Sequence, residues 1–137
     1  MPRDRVFAFF GDAGNLDRIT PPWMHFEVLT PRPIAMHPGT LIDYRLKVRW
    51  LPIRWQSEIT VWEPPHRFAD VQRRGPYRRW IHEHSFEERN GGTVIRDRVE
   101  YAVPGWLLES LVNRWLVAPD LRKIFEYRKT CIAELLR

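Results

Sequence analysis

The sequence predicts an α+β domain in which one long C-terminal helix covers one face of an antiparallel sheet. Short segments between residues 26 and 103 alternate apolar and polar side chains and are separated by turn residues, as antiparallel strands are. Only short helical segments precede them. After them, residues 120–136 carry apolar side chains at helical spacing. An antiparallel meander with one apolar face must bury that face against another element, and this helix is long enough to do so.

The N-terminal part predicts two short helices. Residues 2–10 begin with a proline suited to a first helical turn, and Asp4 lies near the positive end of the helix. The apolar residues Val6, Phe7 and Phe10 then share one face. Residues 15–19 can form one further turn, with Asn15 as the N-cap.

About six strands follow. We place them at residues 26–29, 41–48, 54–62, 68–73, 78–87 and 93–103. Leu51-Pro52 marks a turn, and Asn90-Gly91 predicts a type I′ hairpin, whose two central residues both need positive φ. Helical spacing begins again at Leu108, but Pro119 cannot lie inside a helix without removing a hydrogen bond. We therefore expect residues 120–136 to form the main helix.

The overall composition fits one domain spanning residues 1–137, long enough to bury a core. Cys131 is the only cysteine, so an internal disulfide is excluded. No apolar run approaches the length that spans a bilayer, and residues 1–5 are polar with no signal-peptide core behind them. We expect a cytoplasmic protein without stable membrane insertion.

The positive charge invites a nucleic-acid interpretation. The formal net charge is +5, and all but three of the 22 basic residues are arginine. These arginines are spread along the chain, mostly between apolar residues, and the one dense group, at residues 73–79, falls at a predicted hairpin tip. We interpret it as a solvated face and expect no nucleic-acid partner.

An aromatic and imidazole stripe lies on the fifth predicted strand. Trp80, His82, His84 and Phe86 occupy alternate positions and therefore share one face. Two histidines between two large aromatic residues are unusual on a face packed against a core. Either the histidines are hydrogen-bonded and structural, or this face borders a cavity.

The hairpin turn suggests which residues lie opposite this stripe. With Asn90-Gly91 as a two-residue turn, His84 lies opposite Asp97 and Trp80 opposite Tyr101. All these side chains then point to the same face.

A three-residue loop at 75–77 would complete the arrangement on the other side. It places Asp70 opposite His82 and Gln72 opposite Trp80. Directly opposed side chains are close enough for a carboxylate and an imidazole to share a proton. A buried carboxylate would raise the histidine pKa and fix one tautomer, although such pairs often only satisfy each other and fix register.

A metal site is an alternative at the same place. Two histidines and two aspartates could ligate zinc or iron. However, histidines two residues apart on a strand are common without metal, and neither a cysteine nor a third inward histidine adds to the set. His25, His37 and His66 lie in loops beside prolines. We therefore expect no metal and no cofactor.

The order of elements carries a resemblance to a known family. The matching segments are Val6-Phe7-Ala8-Phe9-Phe10 with Asn15-Leu16, Ile19-Thr20-Pro21-Pro22-Trp23, Gly39-Thr40, Trp62-Glu63-Pro64-Pro65 with Phe68, Gly75-Pro76, the stripe Trp80, His82, His84 and Phe86, Gly92-Thr93 with Asp97 and Tyr101, and Phe125-Glu126-Tyr127-Arg128. Over almost its whole length the chain resembles the polyketide cyclase/dehydrase branch of the START-like (SRPBCC) superfamily. That resemblance implies the helix-grip fold of the birch-pollen allergen, with a curved sheet gripping the last helix around an apolar cavity.

One departure from the family concerns its first strand. Family members usually start with a strand before the first helix, whereas here Met1 stands where the helix begins. In this fold the missing strand would lie beside the last one, so residues 93–103 would have an open edge. We expect either a homodimer through this edge or six strands with a partly blunted edge.

The function implied is binding of an apolar small molecule such as a polyketide, lipid or isoprenoid between the sheet and the last helix. We expect the ligand to be oriented by polar residues and enclosed by aromatic residues and one arginine, with residues 107–117 as a lid. The polar residues are Asp70, Gln72, His82, His84, Asp97 and Tyr101; the others are Trp80, Phe86, Phe125 and Arg128.

Two alternatives stay open at this point, since the superfamily hosts many activities on one scaffold. One is a cyclase or dehydratase that uses an Asp–His pair as general acid and base, with Tyr101 polarising a carbonyl. Its candidate catalytic residues are His82, His84, Asp70, Asp97 and Tyr101. The other is an interaction module with a filled core. Of the three, we favour a binding protein.

Overall fold

The computed structural model describes residues 1–48, 51–103 and 117–136. Its elements in chain order are helix α1 (Arg3–Phe10), 3₁₀ helices at Ala13–Ile19 and Pro22–Met24, strands β1 (Glu27–Val28), β2 (Leu41–Val48), β3 (Leu51–Glu63), β4 (Arg67–Arg74), β5 (Arg79–Arg89) and β6 (Gly92–Ala102), and helix α2 (Ala118–Leu135). The strands form one antiparallel sheet in the order β1 to β6. The α+β prediction is confirmed: short N-terminal helices, a six-stranded curved sheet and a long last helix.

The first connection between long strands differs from the prediction. Leu51-Pro52 was expected to form a turn, but β3 begins at Leu51, which pairs with Val48, and Pro52 pairs with Lys47. A proline is tolerated at the start of a strand, where fewer ladder hydrogen bonds depend on its missing amide hydrogen. The turn prediction at Leu51-Pro52 was therefore wrong.

The predicted cap of the first 3₁₀ helix was also wrong. Asp12, not Asn15, provides the cap, because its Oδ1 accepts a hydrogen bond from the Gly14 amide at 2.9 Å. The helix begins two residues earlier than expected, at Ala13. Asn15 instead donates from Nδ2 to the Phe9 carbonyl at 3.0 Å and ties this helix to α1.

The β5–β6 hairpin has the predicted register. Asn90 and Gly91 have φ angles of 52° and 78°, as a type I′ turn requires. As a result His84 pairs with Asp97 and Trp80 pairs with Tyr101.

The register of β4 on β5 also agrees with the prediction. Asp70 pairs with His82. The ladder ends at the Val71–Ile81 pair, so the expected pairing of Gln72 with Trp80 is not part of it.

The packed core lies mainly at the α1 end of the sheet. One buried cluster joins α1 to β4 and β5 and comprises Val6, Phe7, Phe10, Ile19, Phe68 and Phe86. At its centre the Phe7 ring lies 5.1–5.7 Å from the rings of Trp62, Phe68 and Phe86. A second cluster, Ala13, Ile42, Tyr44, Leu46 and Ile59, lines the sheet face of β2 and β3.

Helix α2 lies across the sheet but packs less tightly than α1. Pro119 falls in its first turn, where a proline is accepted. Of its described residues only Arg128 is fully buried, whereas Leu121, Ile124 and Phe125 are half-buried. Neither this helix nor any other described helix is long and apolar enough to cross a membrane.

The last strand has an unpaired side within the described residues. There β6 pairs only with β5, and the Thr93 hydroxyl donates to the Met1 carbonyl at 2.9 Å near the strand's start. The homodimer through this edge stays a prediction. Three sets of predicted features lie outside the described residues. They are the helical segment from Leu108, the proposed lid except for Val117, and the tryptophans at 50, 106 and 115.

We expect replacement of Phe7 to show how much the core depends on this aromatic contact. Phe7→Ala should lower the free energy of unfolding by about 3–5 kcal/mol, because it leaves a cavity among three rings. Leu41→Ala, at an exposed position on β2, should change it by less than about 0.5 kcal/mol. Denaturant unfolding curves provide the measurement, and equal losses in the two variants would contradict this view of the core.

Candidate functional site

A hollow of about 870 Å³ lies between the sheet, α2 and the N-terminal helices. Its wall is mainly apolar, and every strand from β2 to β5 contributes to it. The apolar lining includes Met24, Phe26, Ile42, Leu46, Trp55, Ile59, Phe68, Trp80, Leu121, Ile124 and Phe125. The filled-core alternative does not fit this hollow in the described part of the chain.

A charged cluster forms one part of the wall, and four elements supply it. His82 and His84 come from β5, Asp70 from β4, Asp97 from β6 and Arg128 from α2. The alternation of β5 turns both histidines to the concave face, and the confirmed registers bring the two aspartates beside them. The structure thus brings the two histidines and the two aspartates together, as their predicted strand registers require.

The individual pairs agree with the prediction in part. His82 Nε2 contacts Asp97 Oδ1 at 3.0 Å, and His84 Nε2 contacts Asp70 Oδ2 at 3.2 Å. Both of these contacts join a histidine to the aspartate diagonal to it in the ladder, whereas the predicted contact of His84 with Asp97 is made through Nδ1 at 3.1 Å. Diagonal neighbours lie within reach of long side chains, and the two imidazole rings stack on each other at 3.8 Å.

Asp97 is the centre of the cluster. Its Oδ1 also lies 3.1 Å from His84 Nδ1, so one carboxylate contacts both imidazoles. Arg128 Nη2 donates to the same oxygen at 3.3 Å and lies 3.3 Å from His84 Nδ1. Only the position of Arg128 in the cavity wall was predicted; its charge pairing was not.

Aromatic rings surround the Arg128 guanidinium. Its Cζ lies 5.4 Å from the centroid of Phe10 and 5.9 Å from that of Phe125. Cations over aromatic faces are attracted by the ring quadrupole. The Nε atom is buried and has no hydrogen-bond partner among the described residues. Arg128 therefore joins α2 to the sheet through its charge contact with Asp97 and to α1 through the Phe10 ring.

Burial and charge oppose each other in this cluster. Burial alone would raise the pKa of Asp97, but hydrogen bonds from His82 and His84 and the charge of Arg128 outweigh it and lower that pKa. Burial lowers the pKa of Arg128 against the opposing effect of Asp97 and Asp70. Asp97 and Arg128 therefore form an ion pair in which the arginine is buried and the carboxylate is partly exposed.

His82 does not show the raised pKa that was expected from a buried carboxylate. Burial lowers the pKa of His82 to about 4, and neighbouring His84 adds to the decrease. The contact with Asp97 works in the opposite direction but is too weak to compensate. His82 is therefore neutral near pH 7, and its Nε2–H donates to Asp97.

Six of the predicted ligand-contact residues border the hollow: Asp70, Trp80, His82, His84, Phe125 and Arg128. Asp97 contacts the histidines and Arg128 and is not among the lining residues. Phe86 belongs to the core beside α1, because Phe7 and Phe10 cover it. Direct ligand contact by any of these residues stays a prediction.

The structure places two other predicted residues elsewhere. The Gln72 side chain spans the β4–β5 turn: its Nε2 donates to the Tyr77 carbonyl at 2.7 Å, and its Oε1 accepts from the Tyr77 amide at 3.1 Å. Tyr101 packs with Tyr77 and Trp80, with ring centroids 6.0 Å and 6.3 Å away. Neither Gln72 nor Tyr101 lines the hollow. Both amide atoms of Gln72 are taken by backbone partners.

Sequence reasoning missed two tyrosines and a serine in the wall. Tyr44, Ser57 and Tyr77 line the hollow. Burial raises the pKa of Tyr44, and the nearby charge of Asp70 adds to this effect. Tyr44 lies on the apolar face of the alternating strand β2, so the alternation itself was the available signal. His25, His37 and His66 are exposed, as predicted.

Comparison with known proteins points to one family and one fold. A family model described as "Polyketide cyclase / dehydrase and lipid transport" matches residues 1–126. No curated protein sequence matches the chain significantly.

Several solved structures resemble the chain. Protein Ms6760 from Mycobacterium smegmatis superposes with a TM-score of 0.71 at 19% identity, over 98% of this chain and 83% of that one. TTHA0849 from Thermus thermophilus gives 0.69 at 19% identity, over 97% and 88%. The protein Ara h 8.0201 gives 0.65 at 15% identity, over 97% and 91%. At these identities the likeness shows the shared helix-grip fold.

We expect the Arg128–Asp97 pair to be strongly coupled. Arg128→Leu leaves the Asp97 carboxylate without its guanidinium and should cost about 3–5 kcal/mol in the free energy of unfolding. The same change in an Asp97→Asn background should cost clearly less, because no charge is then left unpaired. Denaturant unfolding of the four proteins measures the coupling.

Arg96→Leu is the matched control for that cycle. Arg96 lies next to Asp97 on β6, and its ion pair with Glu87 is exposed. This change should cost no more than about 1 kcal/mol. Additive losses in the Arg128 and Asp97 variants would show that the two side chains do not depend on each other.

Proposed function

The chain belongs to the polyketide cyclase/dehydrase and lipid transport family, and from this premise we propose that it binds an apolar small molecule in the hollow between the sheet and α2. The observation that carries the proposal is the wall of the hollow. It is mainly apolar and includes the charged cluster, with Asp12, Lys47, Asp120 and Lys123 as further charged lining residues. Small-molecule sites commonly have this composition, at volumes of about 300–1,000 Å³.

The distribution of polar groups supports a ligand with a long apolar body and one polar group. Leu46, Trp55 and Ile59 offer the body hydrophobic contact on the sheet side, and Leu121 and Ile124 do so on the helix side. The charged cluster would face the polar group. Polyketides, lipids and isoprenoids have this character, so we propose a ligand of this class.

A second candidate function, cyclisation or dehydration of the ligand, is favoured by the state of His82. A general base must be unprotonated at the working pH and must have a free lone pair. His82 is neutral near pH 7, and Asp97 holds its Nε2–H, so the lone pair is on Nδ1. A ligand placed against β5 would then have an oriented base beside it.

We expect ligand binding to be lost when the hollow is filled. Leu46→Trp adds a bulky side chain to the wall of the hollow and should weaken binding of a fluorescent apolar probe, anilinonaphthalene sulfonate, at least tenfold. Leu41→Trp lies on the same strand but on its exposed face, so probe affinity should stay unchanged. Fluorescence titration measures both.

Two controls make this result decisive. Denaturant unfolding of both variants shows that they are folded, and native mass spectrometry of the purified wild-type protein detects any co-purified small molecule. Equal probe affinity in the wild type and in Leu46→Trp would contradict binding in the hollow.

The second candidate function, chemical conversion of the ligand, predicts a different bound molecule from simple binding. If His82 acts as a base in a dehydration, wild-type protein retains the product, whereas His82→Ala retains a precursor heavier by one water. Native mass spectrometry of proteins purified from the same host compares the two masses. His66→Ala, an exposed control, should match the wild type. Identical masses in the wild type and His82→Ala favour binding without chemical change.

A further inference from the structure

We propose that Asp70, His82 and His84 form a binding site for one divalent transition-metal ion in the wall of the hollow. Each of these residues can offer one ligand atom, and the three atoms lie within 4.8 Å of one another. All three residues are largely buried and line the hollow. This inference departs from the expectation, drawn from sequence alone, that no metal binds.

The contacts of Asp97 are the main reason for the proposal. Asp97 Oδ1 contacts Nε2 of His82 at 3.0 Å and Nδ1 of His84 at 3.1 Å. Each imidazole has only two nitrogens, so Nδ1 of His82 and Nε2 of His84 are the ones that Asp97 does not contact, and Nε2 of His84 faces Asp70. A metal-binding histidine almost always gives its other nitrogen to a carboxylate, a carbonyl or water, which fixes the tautomer. Asp97 provides this support for His82, and at His84 Nδ1 both Asp97 Oδ1 and Arg128 Nη2 lie close, at 3.1 Å and 3.3 Å.

Asp70 completes the set of ligands. Its Oδ2 lies 3.2 Å from His84 Nε2, which is the nitrogen that Asp97 leaves free. Arg128 donates to Asp97 and, in the described part of the chain, to no oxygen of Asp70. The guanidinium therefore hydrogen-bonds to the supporting carboxylate, and the oxygens of Asp70 stay accessible to an ion.

Two imidazole nitrogens and one carboxylate oxygen suit Zn²⁺ or Fe²⁺. A tetrahedral ion with bonds of about 2.1 Å holds its ligand atoms about 3.4 Å apart. Binding thus requires the ligand atoms to move closer to one another by about 1 Å, which small rotations of the histidine rings would allow. The remaining coordination position faces the hollow, where an oxygen of a bound molecule or a water could occupy it.

The test is a metal titration of the full chain after removal of bound ions by a chelator. Calorimetry with Zn²⁺ and visible absorption with Co²⁺ should both show one ion per chain. Asp70→Asn preserves the shape of the side chain but removes its charge, and it should weaken binding at least tenfold. His84→Ala should weaken it further. His37→Ala and His66→Ala, both at exposed histidines, should bind as the wild type does.

The proposal fails if the wild type binds none of Zn²⁺, Co²⁺ and Fe²⁺, or if Asp70→Asn binds with unchanged affinity, which would indicate an adventitious ion on the surface. Circular dichroism without metal shows whether each variant is folded. If His84→Ala is not folded, the metal affinity of Asp70→Asn alone decides whether the proposal holds. Because the apolar probe needs no ion, its titration in excess chelator tests the proposed ligand binding separately.

Discussion

The contact of Asp97 with three partners connects the two layers of this protein. One carboxylate on the last strand meets both histidines of β5 and the guanidinium from α2. Without it, the buried Arg128 guanidinium would lose its hydrogen-bonded carboxylate and His82 would lose its acceptor, which is costly in a low-dielectric interior. The position of α2 over the sheet thus depends on an ionic contact as much as on apolar packing.

The contacts of Asp97 with the two histidines and Arg128 also explain why the hollow has a polar side. The α1 end of the sheet is packed with aromatic rings around Phe7. At the other end the charged cluster contacts α2 through Arg128, while the remaining inward residues of the helix are only half-buried. The result is an apolar space with one electrostatically organised wall, in a domain whose family is associated with small apolar molecules.

Much of the fold and of the site composition could be predicted from local sequence signals. Asn90-Gly91 fixed the β5–β6 register, and strict alternation placed His82 and His84 on one face. The contact of His84 with Asp97 followed from the register. The diagonal contacts of His82 with Asp97 and of His84 with Asp70 were not predictable, because direct and diagonal neighbours are both within reach and side-chain rotamers decide between them. A sequence pattern contains no information about that choice.

Other errors came from contacts between distant segments. Phe86 has the same alternation as the histidines, but the docking of α1 covers it, and nothing within β5 indicates this. Gln72 was assigned to the cavity from register alone, whereas its amide closes a turn. The lowered pKa of His82 depends on burial by several elements together, so a neighbouring carboxylate was a poor guide to it.

The half-buried inner face of α2 has a thermodynamic consequence. Leu121, Ile124 and Phe125 are incompletely packed because they border the hollow. A bound ligand would therefore contact them and complete the hydrophobic core. By mass action, any molecule that binds the folded chain and not the unfolded one raises the melting temperature as its concentration rises. If a molecule occupies the hollow as proposed, its removal would therefore lower the melting temperature.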